Sequence, residues 1–183
     1  MVRRIVLVTL LATWGVTVAA SVEAADRSPA KALSKAYTLP QSNVARSCTS
    51  DDLLGSWQLV GFDSPYRFRD PRAPYLLPYQ VFQYADHGSM KSAHSSKPIV
   101  SEAETLFATI PQAMSYRVQL GGVVTLSREG QDGAVETWRC TTMTEDRMDV
   151  RRQMSFQRGD LIMTLTGREG RTLFVRHLRR VSS

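Results

Sequence analysis

Three histidines, His87, His94 and His177, are the residues of this chain whose type occurs most often in metal and acid–base sites. Glu102 and Glu104 follow His94 closely, and their carboxylates would favour an enzyme if they lay beside its ring. No two histidines have the one-turn helical spacing of zinc hydrolases. We therefore predict no metal site, and we expect His177 to be an ordinary histidine at the rim of the fold.

Serines and glycines lack the patterns of catalytic nucleophiles and of phosphate-binding loops. The Gly-x-Ser-x-Gly motif does not occur in the chain, and Ser56 lies between Gly55 and Trp57 on a predicted strand. Gly121 and Gly122 suit a hairpin turn rather than a glycine-rich phosphate loop. The sequence thus predicts a protein without a cofactor and favours binding over catalysis.

The chain contains two cysteines, Cys48 and Cys140. In an oxidising compartment such a pair is expected to form a disulfide. The two cysteines are far apart in sequence, which favours a structural bond over a redox centre. Closing a loop of roughly 90 residues would stabilise the fold by about 4 kcal/mol if the effect comes from chain entropy.

Methionine and aromatic side chains of the predicted strands would face mostly inward. They either fill a solid core or line a space for one small ligand, because adaptable methionines suit both arrangements. The possible lining residues are Tyr116, Trp138, Met148, Met154, Phe156 and Met163. This set is the feature of the sequence that indicates a hydrophobic or amphipathic ligand.

Beyond residue 49 the pattern is that of short β-strands that could position these side chains. Apolar residues recur at every second position, as at Leu161, Met163 and Leu165, and turns rich in Gly and Asp separate the runs. We predict strands at 53–62, 79–84, 89–94, 115–120, 123–128, 134–142, 148–156, 161–166 and 171–180. One short helix is predicted to begin at a capping box formed by Ser101 and Glu104. The pattern favours a small antiparallel up-and-down barrel of eight or nine strands, with a sandwich as the alternative.

The first 24 residues have the three regions of a secretory signal peptide. Arg3 and Arg4 precede an apolar stretch from residue 5 to residue 20, and a small-residue cleavage pattern follows at 22–24. The apolar stretch is shorter than the roughly 20 residues of a membrane span, so we expect no stable membrane insertion. The prediction is a periplasmic or secreted protein with a flexible lead-in at 25–48 and one barrel domain at 49–183.

The formal net charge of +6 comes mostly from arginine, which is concentrated between Arg139 and Arg180. An anionic partner such as a lipid headgroup, a polysaccharide or an acidic protein surface would explain this charge. Solvated strand faces would also explain it, and they are the favoured explanation. We expect no nucleic-acid partner for an exported protein.

Three segments of the chain resemble the bacterial lipocalin-like domains. They are the Gly-Ser-Trp of residues 55–57, the hairpin at 79–90 with its Asp-His-Gly turn, and the final strand at 174–181. The resemblance covers roughly residues 51–181 and implies a small antiparallel barrel. It also implies that Trp57 closes one end of the barrel, with Arg179 or Arg180 packed across its ring by cation–π attraction.

These features together predict an exported, non-catalytic protein that binds a small hydrophobic or amphipathic ligand in its interior. The alternative is a protein-interaction module, such as an envelope-complex subunit or a protease inhibitor, that uses the barrel surface or the lead-in. A cavity lined by inward side chains would favour the ligand-binding protein. A filled interior beside an exposed apolar or basic patch would favour the interaction module.

Overall fold

Eleven strands make up most of the described chain. The structure is a computed structural model, and it describes residues 44–66, 70, 73–100, 102–110, 114–128, 136–150, 153–167 and 169–181. The predicted signal peptide and most of the predicted lead-in lie outside the described residues. The strands are β1 (Ala45–Ser47), β2 (Gly55–Asp63), β3 (Tyr79–Tyr84), β4 (Ser89–Ser95), β5 (Met114–Gln119), β6 (Val123–Arg128), β7 (Glu136–Met143), β8 (Arg147–Asp149), β9 (Met154–Phe156), β10 (Leu161–Thr166) and β11 (Thr172–Arg180).

Eight of these strands close into an antiparallel barrel. Pairing runs in the order β2, β3, β4, β5, β6, β7, β10 and β11, and β11 pairs again with β2. Each strand therefore lies next to its neighbour in the chain, apart from the β8–β9 insertion between β7 and β10. The predicted up-and-down barrel is confirmed, with β1 as an extra strand.

Alternating side chains give the barrel wall two apolar faces. On β10, Leu161 and Met163 point to the barrel interior, whereas Ile162 between them packs on the outside. We call the interior set the inner cluster; its buried members are Cys48, Leu53, Trp57, Phe82, Tyr84, Met90, Tyr116, Val124, Leu126, Trp138, Cys140, Leu161, Met163, Phe174 and Leu178. The outer cluster consists of Met143, Phe156, Ile162 and Val175. This period of two is what made the strands predictable.

A short strand and a disulfide hold the beginning of the domain to β7. The first half of β7 pairs with β6, and its last three residues pair with β1. The strand β1 therefore continues the sheet beside the part of β7 that does not pair with β6. Cys48 and Cys140 form the predicted disulfide at this junction. Gly122 also reaches it with a φ of +73°, and a Cβ there would lie 2.4 Å from the Cys140 carbonyl oxygen. The folded part thus includes residues 45–48, which the sequence assigns to the lead-in.

The segment predicted as one strand at 148–156 is a hairpin of two three-residue strands. β8 pairs with β9 in a separate two-stranded sheet. Gln153 adopts a left-handed φ of 53°, which helps to turn the chain. The sequence does not indicate this turn, because the apolar residues on both sides of it fall at even-numbered positions, as they would in one continuous strand.

In the described residues two α-helices and one 3₁₀ turn connect the strands, whereas the sequence predicts a single helix. The helix α1 (Ser50–Leu53) begins after Thr49, whose backbone N–H and hydroxyl donate to Asp52 Oδ2 at 2.7 and 2.8 Å. The 3₁₀ turn covers Pro74–Leu76. The capping arrangement expected at the second helix is therefore found at the first.

The helix α2 (Ala103–Ala108) is the one that the sequence predicts, but it begins differently. Its N-cap is Glu102, whose side chain makes no capping bond, and Ser101 lies outside the described residues. Phe107 is 1% exposed and anchors the helix to the barrel, and its carbonyl oxygen accepts a bond of 2.8 Å from Lys91 Nζ. In the described residues no helix has both the length and the apolar character needed to cross a membrane.

Candidate functional site

Arg176 lies inside the barrel, on the inward face of β11 between Phe174 and Leu178. Only 8% of this arginine is exposed. Three aromatic rings surround its guanidinium, with the centroids of Trp138, Phe82 and Phe174 at 4.7, 5.0 and 5.2 Å from Cζ. Cation–π attraction to these rings favours a positive charge in an otherwise apolar interior.

The guanidinium of Arg176 has ring contacts but no hydrogen-bonded anion. Its Nε is buried without a hydrogen-bond partner, and within the described residues Arg176 forms no ion pair. Glu136 acts on it through space, and Oε2 of that carboxylate accepts a bond of 2.8 Å from Trp138 Nε1. Burial lowers the pKa of Arg176 to about 10, against the opposing effect of Tyr84 and Glu136.

Gln80 and His94 place further polar atoms beside this site. Gln80 is 2% exposed, and its amide nitrogen donates to two carbonyl oxygens of the preceding loop while Oε1 has no partner. His94 Nδ1 lies 3.0 Å from the Pro74 carbonyl oxygen, so this nitrogen carries a proton. Burial and the charge of Arg176 lower the pKa of His94, which keeps its ring neutral near pH 7.

An apolar groove lies where β2 and β3 separate. These strands pair only between residues 55–58 and 81–84. Beyond that point the barrel wall contains a groove of about 330 Å³, lined by Leu59, Val60, Gly61, Phe62, Leu76, Leu77 and Pro78. Phe62, which lines this groove, packs on Phe174 with their ring centroids 5.3 Å apart, and Arg176 is not among the lining residues.

The predicted lining residues divide between three places. Tyr116, Trp138 and Met163 belong to the inner cluster. Phe156 and Met154 pack in the outer cluster instead, and Met148 is 56% exposed on β8. These three side chains lie outside the inner cluster, because the β8–β9 hairpin forms a separate sheet that is not part of the barrel wall. None of the six residues lines the groove at β2.

At the barrel end, Arg180 rather than Arg179 lies over Trp57. The Arg180 Cζ is 4.5 Å from the ring centroid, and Nη1 donates to the Leu54 carbonyl oxygen at 2.7 Å. Register explains the choice, because Arg180 is directly opposite Trp57 and shares the inward parity of β11. Trp57 itself is 1% exposed and donates from Nε1 to the Leu53 carbonyl oxygen at 2.7 Å.

Arg179 belongs to a second charged group, outside the barrel wall, that we call the outer charged cluster. It consists of Asp160, His177 and Arg179. His177 Nε2 lies 2.6 Å from Asp160 Oδ2, and both side chains are almost fully buried. Arg179 donates to Oδ2 at 2.8 Å and to Oδ1 at 3.1 Å. The expectation of an ordinary rim histidine is therefore wrong for His177, which is a buried partner of a carboxylate.

The other two histidines make local contacts. His87 lies on the exposed turn after β3 and contacts Asp86 and Ser89. His94 contacts Ser92 and the Pro74 carbonyl rather than Glu102 or Glu104, so the arrangement that would favour an enzyme is not formed. Among the described residues, no group of three His, Cys, Asp or Glu side chains has the arrangement of a metal site.

Comparison with protein-family models, with curated proteins and with solved structures finds no match for this chain. The evidence for a function therefore comes from the chain itself. Its strongest feature is Arg176, which composition alone does not distinguish from the other arginines between residues 139 and 180. The parity of β11 could have located it, since Phe174, Arg176 and Leu178 alternate with outward residues.

Proposed function

We propose that this protein is an exported, non-catalytic binding protein of the lipocalin-like kind, which holds a small amphipathic molecule in its barrel. The observation that carries this proposal is the unpaired guanidinium of Arg176 in the inner cluster. A buried charge without a hydrogen-bonded counter-ion costs several kcal/mol of folding free energy. Residues of this type are retained where binding requires them, at some expense in stability.

The surroundings of Arg176 support a binding site. Ligand sites are mostly apolar and contain a few polar groups that orient the ligand. Here the inner cluster supplies the apolar surface, Arg176 and Gln80 supply unpaired polar atoms, and the groove beside Phe62 provides adjoining space. The Cys48–Cys140 disulfide is typical of a protein that works in an oxidising compartment outside the cytoplasm.

Native mass spectrometry of the mature protein, purified gently from its own host, tests this proposal. We expect a bound molecule at a ratio near one to one, which denaturation would release for identification. A bare protein mass that shows only the two-hydrogen deficit of the disulfide would contradict the proposal.

A second candidate function is a protein-interaction module. It is favoured by the large apolar side chains exposed on β2, on β3 and in the loop between them. They are Val60, Tyr66, Tyr75 and Tyr79. Exposed apolar surface of this kind is typical of contact sites. Cross-linking in the host would distinguish the two candidates, because an interaction module should give one reproducible protein adduct while its purified form carries no small molecule.

A further inference from the structure

We propose that Ser89, which follows the turn between β3 and β4, is a nucleophile that accepts an acyl group from an activated ester, with His87 as its base. This activity goes beyond the binding function and belongs to side chains outside the barrel interior. They are Asp86, His87 and Ser89, and we call them the turn cluster. Three observations support the activity: the order of their hydrogen bonds, the rigidity of the turn and its access to solvent.

The three side chains of the turn cluster form one continuous chain of hydrogen bonds. His87 Nε2 lies 2.7 Å from Ser89 Oγ, and His87 Nδ1 lies 3.2 Å from Asp86 Oδ1. Because a carboxylate only accepts, Nδ1 carries the proton of the neutral ring and Nε2 is the acceptor for the serine hydroxyl. The bond from His87 is also the main cause that lowers the pKa of the Asp86 carboxyl. In this order of groups a base activates the hydroxyl and a third group orients the base.

The backbone of the turn holds these groups in place. The Ala85 N–H donates to the Ser89 carbonyl oxygen at 2.9 Å, and the Gly88 N–H donates to the Ala85 carbonyl oxygen at 3.0 Å. Tyr116 is a buried residue of β5 that fixes the turn from below. Its hydroxyl donates to the Ala85 carbonyl oxygen at 2.9 Å, and its backbone N–H donates to the Gly88 carbonyl oxygen at 2.7 Å. The imidazole and the hydroxyl are therefore preorganised by a turn that is bonded to the barrel.

A reagent can reach the turn cluster directly from solvent. The side chains of His87 and Asp86 are 72% and 89% exposed, and Ser89 is half-buried at the start of β4. In the transfer, Ser89 Oγ attacks the acyl carbon of the ester while the hydroxyl proton passes to His87 Nε2. The bond between the acyl carbon and the leaving oxygen then breaks, and the imidazolium returns the proton to that oxygen. The products are an acylated serine and a free alcohol, so a single transfer is compatible with a non-catalytic protein.

Labelling of the mature protein with two reagents at pH 8 tests this activity, and peptide mass spectrometry locates the labels. A fluorophosphonate reports the nucleophile, because the attacked phosphorus loses fluoride and leaves a stable serine ester. p-Nitrophenyl acetate, applied briefly, reports the acyl transfer. Ser115 is the internal control, since it is exposed directly opposite Ser89 on β5 and has no histidine partner among the described residues. We expect both reagents to label Ser89 at least tenfold faster than Ser115.

Variants of the turn separate the roles of its side chains. His87→Gln should lower the labelling rate at Ser89 at least tenfold and leave the rate at Ser115 unchanged. Asp86→Asn should lower the rate at Ser89 by about threefold, a small effect because the bond to the ring is exposed to water. Asp86→Glu should restore the wild-type rate, because it keeps a carboxylate beside the ring.

Equal labelling of Ser89 and Ser115 in the wild-type protein would overturn the assignment of Ser89 as a nucleophile. A rate at Ser89 that His87→Gln leaves unchanged would overturn the role of the imidazole. Labelling of Ser89 by the fluorophosphonate but not by the acetate would overturn the acyl ester as its reagent. The comparison of the two serines within the wild-type protein decides the first point even if a variant does not fold.

Discussion

Two charged groups lie back to back on β11, one on each face of the barrel wall. Arg176 points inward to three aromatic rings and has no hydrogen-bonded anion. His177 and Arg179 point outward and share the carboxylate of Asp160. Residues that are neighbours in sequence thus have opposite electrostatic environments. The outer charged cluster has its counter-ion within the chain, whereas the inner guanidinium has only ring contacts among the described residues.

The outer charged cluster has a structural role that its contacts explain. Asp160 accepts bonds from His177, from Arg179 and from the backbone N–H of Gln157. Arg179 also donates to the Ser155 carbonyl oxygen at 3.0 Å, which ties β9 to β11. Together with Phe156, which packs on the His177 ring at 4.6 Å, these bonds fix the β8–β9 hairpin on the barrel wall.

Removing the central carboxylate should have the largest effect. Asp160→Asn keeps the shape of the side chain but leaves His177 and Arg179 without their anion. We expect the free energy of unfolding to fall by about 3–5 kcal/mol, as is usual when one partner of a buried ion pair is lost. Urea denaturation measures this loss. Asp86→Asn is the control because Asp86 is exposed on a turn, and equal losses in the two variants would show that the outer charged cluster does not stabilise the fold.

Acid should weaken the outer charged cluster. Burial alone would raise the pKa of Asp160, but hydrogen bonds from His177, Arg179 and Gln157 outweigh it and lower the pKa from 3.8 to about 2. The stabilisation, about 2 kcal/mol, is complete above pH 4 and is lost as the pH falls from about 4 to about 2. The pKa of Asp52 is also lowered to about 2, mainly by its hydrogen bonds to Arg46. Its protonation therefore adds the same acid loss of stability to the wild-type protein and to variants that keep Asp52 and Arg46.

This acid loss can be measured by urea denaturation between pH 5 and pH 2, together with an NMR titration of the Asp160 carboxyl carbon. The carboxyl should titrate near pH 2. A carboxyl that titrates at its ordinary pKa of 3.8 or above would show that the hydrogen bonds do not stabilise its charged form.

The smallest predicted effect has the opposite sign. Arg176→Met replaces an unpaired buried charge by an apolar side chain that can still contact the three rings. We expect the free energy of unfolding of the ligand-free protein to rise by about 1–2 kcal/mol, since exchanging buried charges for apolar groups is often stabilising. Arg139→Met should change it by less than about 0.5 kcal/mol. A loss of stability in Arg176→Met would make this arginine a structural residue and remove the contrast with the outer charged cluster.

Much of the barrel could be predicted because alternation is a local signal. The bounds of β10 at Leu161–Thr166 agree with the prediction, and those of the β3–β4 hairpin differ from it by one residue at most. The β8–β9 hairpin could not be separated from a single strand, because its turn preserves the parity of the apolar residues. The partner of His177 could not be predicted either, since Asp160 reaches it only through the pairing of β10 with β11.

The candidate site could not be predicted from the sequence, because its central residue is an arginine, a type that is usually exposed. Arginine is rarely buried, so a group of arginines is normally interpreted as solvated surface. Arg180 is an exposed arginine of this usual kind, although it also covers the Trp57 ring at the end of the barrel. Arg176 differs only in its position along the same face of β11, deeper in the interior. The alternation of residues along a strand predicts which face a side chain lies on. How deeply that side chain is buried depends on where the neighbouring strands end.

The closure of the barrel between β2 and β11 also determines when the barrel interior can form. These strands lie at opposite ends of the domain sequence, with Trp57 opposite Arg180. Contacts between such distant segments form slowly, and the segment made last must be present before they can form at all. A chain that crosses a membrane with its N-terminus first would release β11 last. In such a chain the aromatic surroundings of Arg176 would form only after β11 had been released.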